Sequence, residues 1–240
     1  MRVAALYDIH GNLPALEAVL EDVRQAGAHE IVVGGDVLPG PMPRECLDLL
    51  LQIDRPVHFI RGNGDRVVLG QMRGEEPGEV PEQFREGIRW NARQLTPEHQ
   101  RILASWPGTI RLEIAGVGSV FFCHASARND TDLLTRETSD ERVRLLFRGI
   151  EAGLAICGHT HMQFDRKLGD LRIINPGSVG MPYGEPGAYW LLLGPEPELR
   201  QTVYDLESAA HRVRGTSFPD AETFATKSIL SPPSETEMLT

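Results

Sequence analysis

Short continuous apolar runs, each cut off by a polar cluster, recur along the chain. Val3-Ala4-Ala5-Leu6-Tyr7 stops at Asp8-Ile9-His10-Gly11-Asn12, Ile31-Val32-Val33 leads into Gly34-Gly35-Asp36, and Val57-His58-Phe59-Ile60 ends at Gly62-Asn63-Gly64-Asp65. Runs of this length without polar alternation predict strands of a sheet that is covered on both faces. Between them the period becomes helical. Pro14 suits a first turn, Leu16, Val19, Leu20 and Val23 fall at i, i+3, i+4 and i+7, and Gly27 is placed to end the helix. A second helix is predicted from about Pro43, with Cys46, Leu47, Leu50 and Ile53 on one face. Strands alternating with helices imply an α/β fold with parallel pairing. The polar clusters then lie at strand ends, where open α/β sheets place their sites.

From Arg66 to Trp106 charged residues dominate and two helices are expected, the second starting at Thr96-Pro97-Glu98 with a cap followed by proline. This stretch reads as a helical insertion over the strand ends. The second half is strand-rich: Thr109 to Ala115, Ser119 to Cys123 running into His124, Leu154 to Cys157 running into Gly158-His159-Thr160-His161, then Phe164 to Leu168 and Leu171 to Ile174 joined by Gly169-Asp170. Ala188 to Leu193 and Leu199 to Tyr204 make a further pair, with helices expected at 140–147, 206–213 and 221–229. No linker forces a boundary, so one domain over residues 1–213 is expected, with 214–240 as a C-terminal extension. From Ser231 onward Pro, Ser, Thr and Glu predominate and disorder is expected.

Composition changes this picture little. The 240 residues carry a net charge of −10, which argues against a broad basic surface for nucleic acid or an anionic membrane. A local metal cluster can still attract a phosphate. Cys46, Cys123 and Cys157 are widely spaced in apolar runs and read as buried free thiols of a reducing compartment. No signal peptide and no membrane-length apolar stretch is evident, so a cytoplasmic location is expected.

The chemistry lies in the strand-end residues Asp8, His10, Asp36, Asn63, His124, His159 and His161. Singly, each has a plain structural explanation, such as a turn, a cap or a hydrogen-bonded histidine. Five clusters in order, each behind an apolar run, are hard to explain that way. Read as extended segments, Asp8-x-His10 and His159-x-His161 would each point both side chains to one side. Seven O and N donors exceed one metal with an open substrate position. They suit two metals a few ångströms apart sharing a carboxylate, with Mn2+ favoured and Fe, Zn, Ni or Co as alternatives.

These blocks resemble the calcineurin-like metallophosphoesterases, whose ordered signature matches Asp8-Ile9-His10, Gly35-Asp36, Gly62-Asn63, His124 and Gly158-His159-Thr160-His161. Asp8-Ile9-His10-Gly11-Asn12 and Asn175-Pro176-Gly177-Ser178 look like the compact bacterial and archaeal phosphodiesterase branch. The resemblance implies a four-layer αββα sandwich of two mixed sheets flanked by helices. It implies one metal held by Asp8, His10, Asp36 and His161, and another by Asp36, Asn63, His124 and His159. A metal-bridging hydroxide would attack the phosphorus of a small phosphate ester, with His10, Asp36, Asn63 and Asp65 as catalytic candidates. From the residues themselves, Asn12 either touches substrate or caps the first helix, and Arg128 either reaches a substrate phosphate or pairs at the surface with Asp130 or Asp132.

One position departs from the pattern. Many relatives carry His just after Gly-Asn, and here Gly64 stands there, followed by Asp65. Losing a general acid typically costs ~10²–10⁴ in rate, so phosphodiesters and esters with acidic leaving groups are the expected substrates. His10 and Asp65 are the substitute donors on hand, with Asp65 better suited to orienting a metal ligand. The alternatives are a phosphomonoesterase, a protein phosphatase, a dinucleoside polyphosphate hydrolase and, more remotely, a non-catalytic scaffold on the same fold. The oligomeric state is not legible.

Overall fold

A computed structural model describes residues 1–78 and 80–239. The first apolar runs form β1 (Val3–Leu6), β2 (Glu30–Val33) and β3 (Val57–Phe59), joined by helices α1 (Leu13–Gln25) and α2 (Pro43–Leu51). β1 pairs in parallel with β2 and β2 with β3, so their polar C-terminal ends line up along one edge. Three helices follow, α3 (Asn63–Met72), α4 (Glu82–Gln94) and α5 (Pro97–Ser105), in place of the two expected between 66 and 106. The extra one begins at Asn63, a position read from sequence as a turn between glycines.

The second half supplies β4 (Thr109–Ile114), β5 (Gly118–Cys123), α6 (Asp140–Leu146), β6 (Leu154–Ile156), β7 (Phe164–Leu168), β8 (Leu171–Asn175), β9 (Ala188–Leu193) and β10 (Glu198–Thr202). Two mixed five-stranded sheets result, ordered β10-β9-β1-β2-β3 and β4-β5-β6-β8-β7. β9 returns antiparallel to β1, so a late strand completes the first sheet.

Side-chain alternation explains why strands with no polar face are needed. Val3, Ala5 and Tyr7 face the space between the sheets, whereas Ala4 and Leu6 face the helices. Likewise Val120 and Phe122 face inward, and Phe121 and Cys123 face the layer that holds α6. Both faces of each sheet are therefore covered, giving four layers. Tyr7 crosses between the sheets, its hydroxyl donating to the Ile156 carbonyl at 3.2 Å. A Cβ at Gly34 or Gly158 would fall 2.1 or 2.4 Å from its ring, so both glycines make room for it. All three cysteines are buried and free.

The C-terminal segment packs against α1 and the insertion. Helix α7 (Leu206–Arg214) is followed by the short helix α8 (Ala221–Phe224) and a π-helical stretch, Ala225–Leu230. Met42, Ala210, Val213, Phe224 and Ile229 form its own small core. Beyond Ser231, where composition alone argues for disorder, there is a short helix α9 (Glu235–Leu239). It is tied down by an Arg136–Glu235 ion pair and by the Gly184 N–H, which donates to the Pro233 carbonyl at 2.9 Å. No helix among the described residues is long and apolar enough to cross a membrane.

Candidate metal centre

The strand ends bring the polar clusters together. Asp8 and His10 follow β1, Asp36 follows β2, Asn63 opens α3, His124 follows β5, and His159 and His161 follow β6. Asp8, His10 and His161 offer ligand atoms within 4.8 Å of one another, and Asp36, His124 and His159 form a second such group. Asp36 reaches both: its Oδ2 is 3.8 Å from His10 Nε2 and its Oδ1 is 3.5 Å from His124 Nε2. Asn63 joins the second group, its Oδ1 lying 3.0 Å from His124 Nε2.

The backbone of these turns corrects one expectation. Asp8, His10, Asp36, His159 and His161 all have positive φ, between 47° and 67°, so neither i, i+2 pair lies on extended chain. His159 and His161 accordingly serve different groups. Left-handed backbone at non-glycine residues costs on the order of 1–3 kcal/mol each and persists where surrounding contacts over-determine it. Those contacts are present. The His10 N–H donates to the Asp36 carbonyl at 2.9 Å, and the His159 N–H donates to Asp8 Oδ2 at 3.0 Å. Ser178 Oγ donates to the Asp8 carbonyl at 2.7 Å, while Asn175 Nδ2 donates to the Gly158 carbonyl at 3.0 Å. The Asn175-Pro176-Gly177-Ser178 turn thus clamps the first and last ligand loops.

The donor set fits divalent cations. Nδ1 of His10, His124 and His161 lies 3.2, 3.0 and 2.7 Å from the carbonyls of Pro39, Gly34 and Met181. A carbonyl only accepts, so each Nδ1 carries a proton, and in its neutral form each ring presents an Nε2 lone pair to the interior. With both rings neutral, His10 Nε2 and His161 Nε2 face one another at 3.2 Å, lone pair to lone pair. Asp8 Oδ1 is buried and accepts no hydrogen bond among the described residues. The Asn63 amide lies between His124 Nε2 and His159 Nδ1, at 3.0 and 2.9 Å. Lone pairs converging without donors suit a cation.

Residues 1–194 match the family described as the calcineurin-like phosphoesterase superfamily domain. The chain belongs to the calcineurin-like phosphoesterase superfamily. A metallophosphoesterase structure from Sphaerobacter thermophilus is 28% identical, with a TM-score of 0.72 over 94% of this chain and 97% of that one. Phosphodiesterase YfcE of Escherichia coli is 28% identical over 202 residues, 80% of this chain and 87% of its own length. The structure of hypothetical protein PH1004 from Pyrococcus horikoshii shares the fold, with a TM-score of 0.81 over 97% of this chain and 99% of that chain at 20% identity.

For this phosphoesterase, the protonation states follow from burial and the mutual fields of the cluster. Burial pushes the Asp8 carboxyl up, but His161, His124 and His10 outweigh it and bring it down to about 2. Burial, helped by the neighbouring imidazoles, lowers His10 to about 3 and His159 to about 4. Burial, with the Asp8 charge added, raises Asp36 to about 6. Burial lowers His124 and His161 too, but the Asp8 and Asp36 charges outweigh it and raise both. An ionised Asp8 and neutral His10 and His159 are the forms that bind metal, and at His124 and His161 a bound cation would take the place of a proton.

Three candidates are placed away from the cluster or at its edge. Asn12 is fully buried, with its Oδ1 accepting from the Ala15 N–H at 3.2 Å and its Nδ2 donating to the Gly180 carbonyl at 2.9 Å. It caps α1. Asp65 is also sealed. Its carboxylate accepts from the backbone N–H groups of Asp36, Leu38 and Gly62 at 2.9–3.0 Å. Burial, then the Asp36 charge, pushes its carboxyl up to about 7, against the pull of those N–H groups. A group so enclosed cannot deliver a proton to a leaving group, so Asp65 positions the Asp36 loop instead. Arg128 is exposed and makes no ion pair with Asp130 or Asp132, which pair with Arg66 and Arg142. It lines a cavity of about 270 Å³ with Arg61, Arg66 and His124.

Sequence reasoning missed Arg61 and Tyr183. The Tyr183 ring stacks on His161 with centroids 5.4 Å apart. Arg61 sits two residues before Asn63, shortly after β3, and that position was a usable signal. Tyr183, in a Gly- and Pro-rich loop, offered none.

Proposed function

We propose that the chain hydrolyses phosphodiesters with two divalent cations, Mn2+ as first choice. Asp8, His10 and His161 would hold one, Asn63, His124 and His159 the other, and Asp36 would serve both. The observation that carries this reading is the pair of largely buried ligand groups that Asp36 reaches with one oxygen each, beside the unpartnered Asp8 Oδ1. When bound, such ions supply Lewis-acid charge and an acidified water for in-line attack at phosphorus. The protein's own part is to fix the ligands through strained, hydrogen-bonded turns and to orient the substrate. Arg128 and Arg61, on the wall beside His124, would bind non-bridging phosphoryl oxygens.

The same residues support the preference for diesters. Gly64 has no side chain and Asp65 is enclosed, so the leaving group receives no proton from either. Esters whose leaving groups depart as stable anions suffer least. Metal-reconstituted protein is expected to turn over bis-p-nitrophenyl phosphate faster than simple alkyl phosphomonoesters. Equal or better turnover of the alkyl monoesters would sink the preference, and a protein that retains no divalent ion would sink the reading as a whole.

Arg128→Ala is expected to raise KM for the diester roughly tenfold while leaving kcat nearly unchanged, the order of magnitude of one charge-assisted hydrogen bond. Steady-state kinetics check this. An unchanged KM would remove Arg128 from the site.

A further inference from the structure

Beside His10 lies a second cavity of a different character, with a volume of about 390 Å³. Its walls come from α4 (Phe84, Gly87, Ile88), from the loop at Met181 and from the C-terminal segment (Phe218, Phe224). Trp90 and Phe218 meet edge to face at 5.4 Å, and Phe218 and Phe224 do the same at 6.4 Å, so part of the wall is built of aromatic rings held by one another. At its mouth Phe84 and Met238 remain 54% and 45% exposed. Single exposed apolar side chains need no explanation, but two at one opening lined with apolar groups do.

We propose that this cavity receives an aryl or branched alkyl substituent of the phosphate ester. The inference rests on the phosphoesterase reading above. The volume falls in the range of small-molecule sites, about 300–1,000 Å³, and the lining is apolar with few polar groups, as such sites are. The occupant follows from what the cavity touches. It opens on His10, so an ester whose phosphoryl group lies at the metal ligands has a substituent within reach of it. The cavity beside His124 carries three arginines, and this one carries phenyl rings. A substrate with charge at one end and an apolar group at the other therefore has one favoured orientation. The insertion and the C-terminal segment acquire a shared purpose, because each supplies part of the wall.

Titration calorimetry of the Mn2+-loaded protein with methylphosphonate and phenylphosphonate tests this, because neither is hydrolysed at a phosphate ester bond. Phenylphosphonate is expected to bind about tenfold or more tighter, the scale of discrimination in an apolar pocket. Gly87→Leu should erase that difference and leave methylphosphonate binding unchanged. A Cβ at Gly87 meets the Phe218 ring at 3.5 Å, an ordinary contact, so the new side chain fills the cavity without displacing backbone. Phe84→Ala, at an exposed position, should weaken only the phenyl ligand and guards against misfolding of the first variant. Equal binding of the two phosphonates, or a phenyl preference that survives both variants, overturns the assignment. Binding of neither phosphonate nor inorganic phosphate to metal-loaded protein overturns the phosphoesterase reading and this inference with it, a pattern distinct from failure of the pocket alone.

Discussion

Asp36→Ala is expected to lower turnover of a diester by roughly 10³-fold or more and to reduce the bound divalent metal below two per chain. The reason is position. Asp36 turns one oxygen to each histidine group, at 3.8 Å from His10 Nε2 and 3.5 Å from His124 Nε2, while Asp8 approaches both through Oδ1 alone, at 3.5 Å from His161 Nε2 and 3.9 Å from His124 Nε2. Removing it takes negative charge from both ion sites at once, and metal-based charge stabilisation is worth several kcal/mol, about tenfold in rate per 1.36 kcal/mol. The substitution also frees the Gly64 N–H, which donates to Asp36 Oδ1 at 2.7 Å. Metal analysis of the purified variant, read beside its kinetics, separates the two consequences. Full activity with two bound ions would refute the shared-carboxylate assignment.

Much of the centre was legible because buried strands announce themselves. Val3 to Tyr7 and Ile31 to Val33 have no polar face, so the first polar residue after each marks a strand end, and parallel pairing carries those ends to one edge. The geometry at the edge was not legible in the same way. Extended chain at Asp8-x-His10 and His159-x-His161 was a plausible local picture, and left-handed turns stand in its place. A left-handed residue is imposed by contacts from distant loops, here the Ser178 and Gly180 groups on the Asp8 carbonyl. Aspartate and histidine are enriched in that conformation, which was the one local hint.

The same distinction explains the other departures. Asn12 and Asp65 carry side chains that suit substrate or proton transfer, but their partners at Ala15, Gly180, Leu38 and Gly62 exist only once the loops have closed. The apolar cavity is further from the sequence still. Phe84 and Phe224 stand far apart in the chain, and neither periodicity nor composition places them on one wall. A helix was expected at 221–229, but nothing local showed that its Phe224 and Ile229 would give the C-terminal segment a core of its own.

Gly64→His is the substitution that would seem to restore a lost general acid, and it is expected to fail. A Cβ at residue 64 would lie 2.2 Å from the Leu38 carbonyl oxygen, 2.9 Å from Pro39 Cδ and 3.1 Å from Asp36 Oδ1. The nearest of these is backbone, which cannot swing aside as the end of a flexible side chain can. Overpacking typically costs 1–3 kcal/mol, and in a chain of this size each kcal/mol moves the melting temperature by roughly 2–4 °C. A loss of about 5–10 °C is therefore expected, with weaker metal retention as the Gly64 N–H moves off Asp36. Turnover of alkyl monoesters should not rise. Gly64→Ala should melt almost as early, because the clash belongs to the Cβ and not to the imidazole. A Gly64→His protein that melts with the parent and gains monoesterase activity would show that the Leu38–Pro39 loop yields. The missing histidine would then be a simple loss of chemistry. Early melting in both variants would mean instead that the loop and the glycine are fitted to each other, so the site is built to work without a side chain at that position.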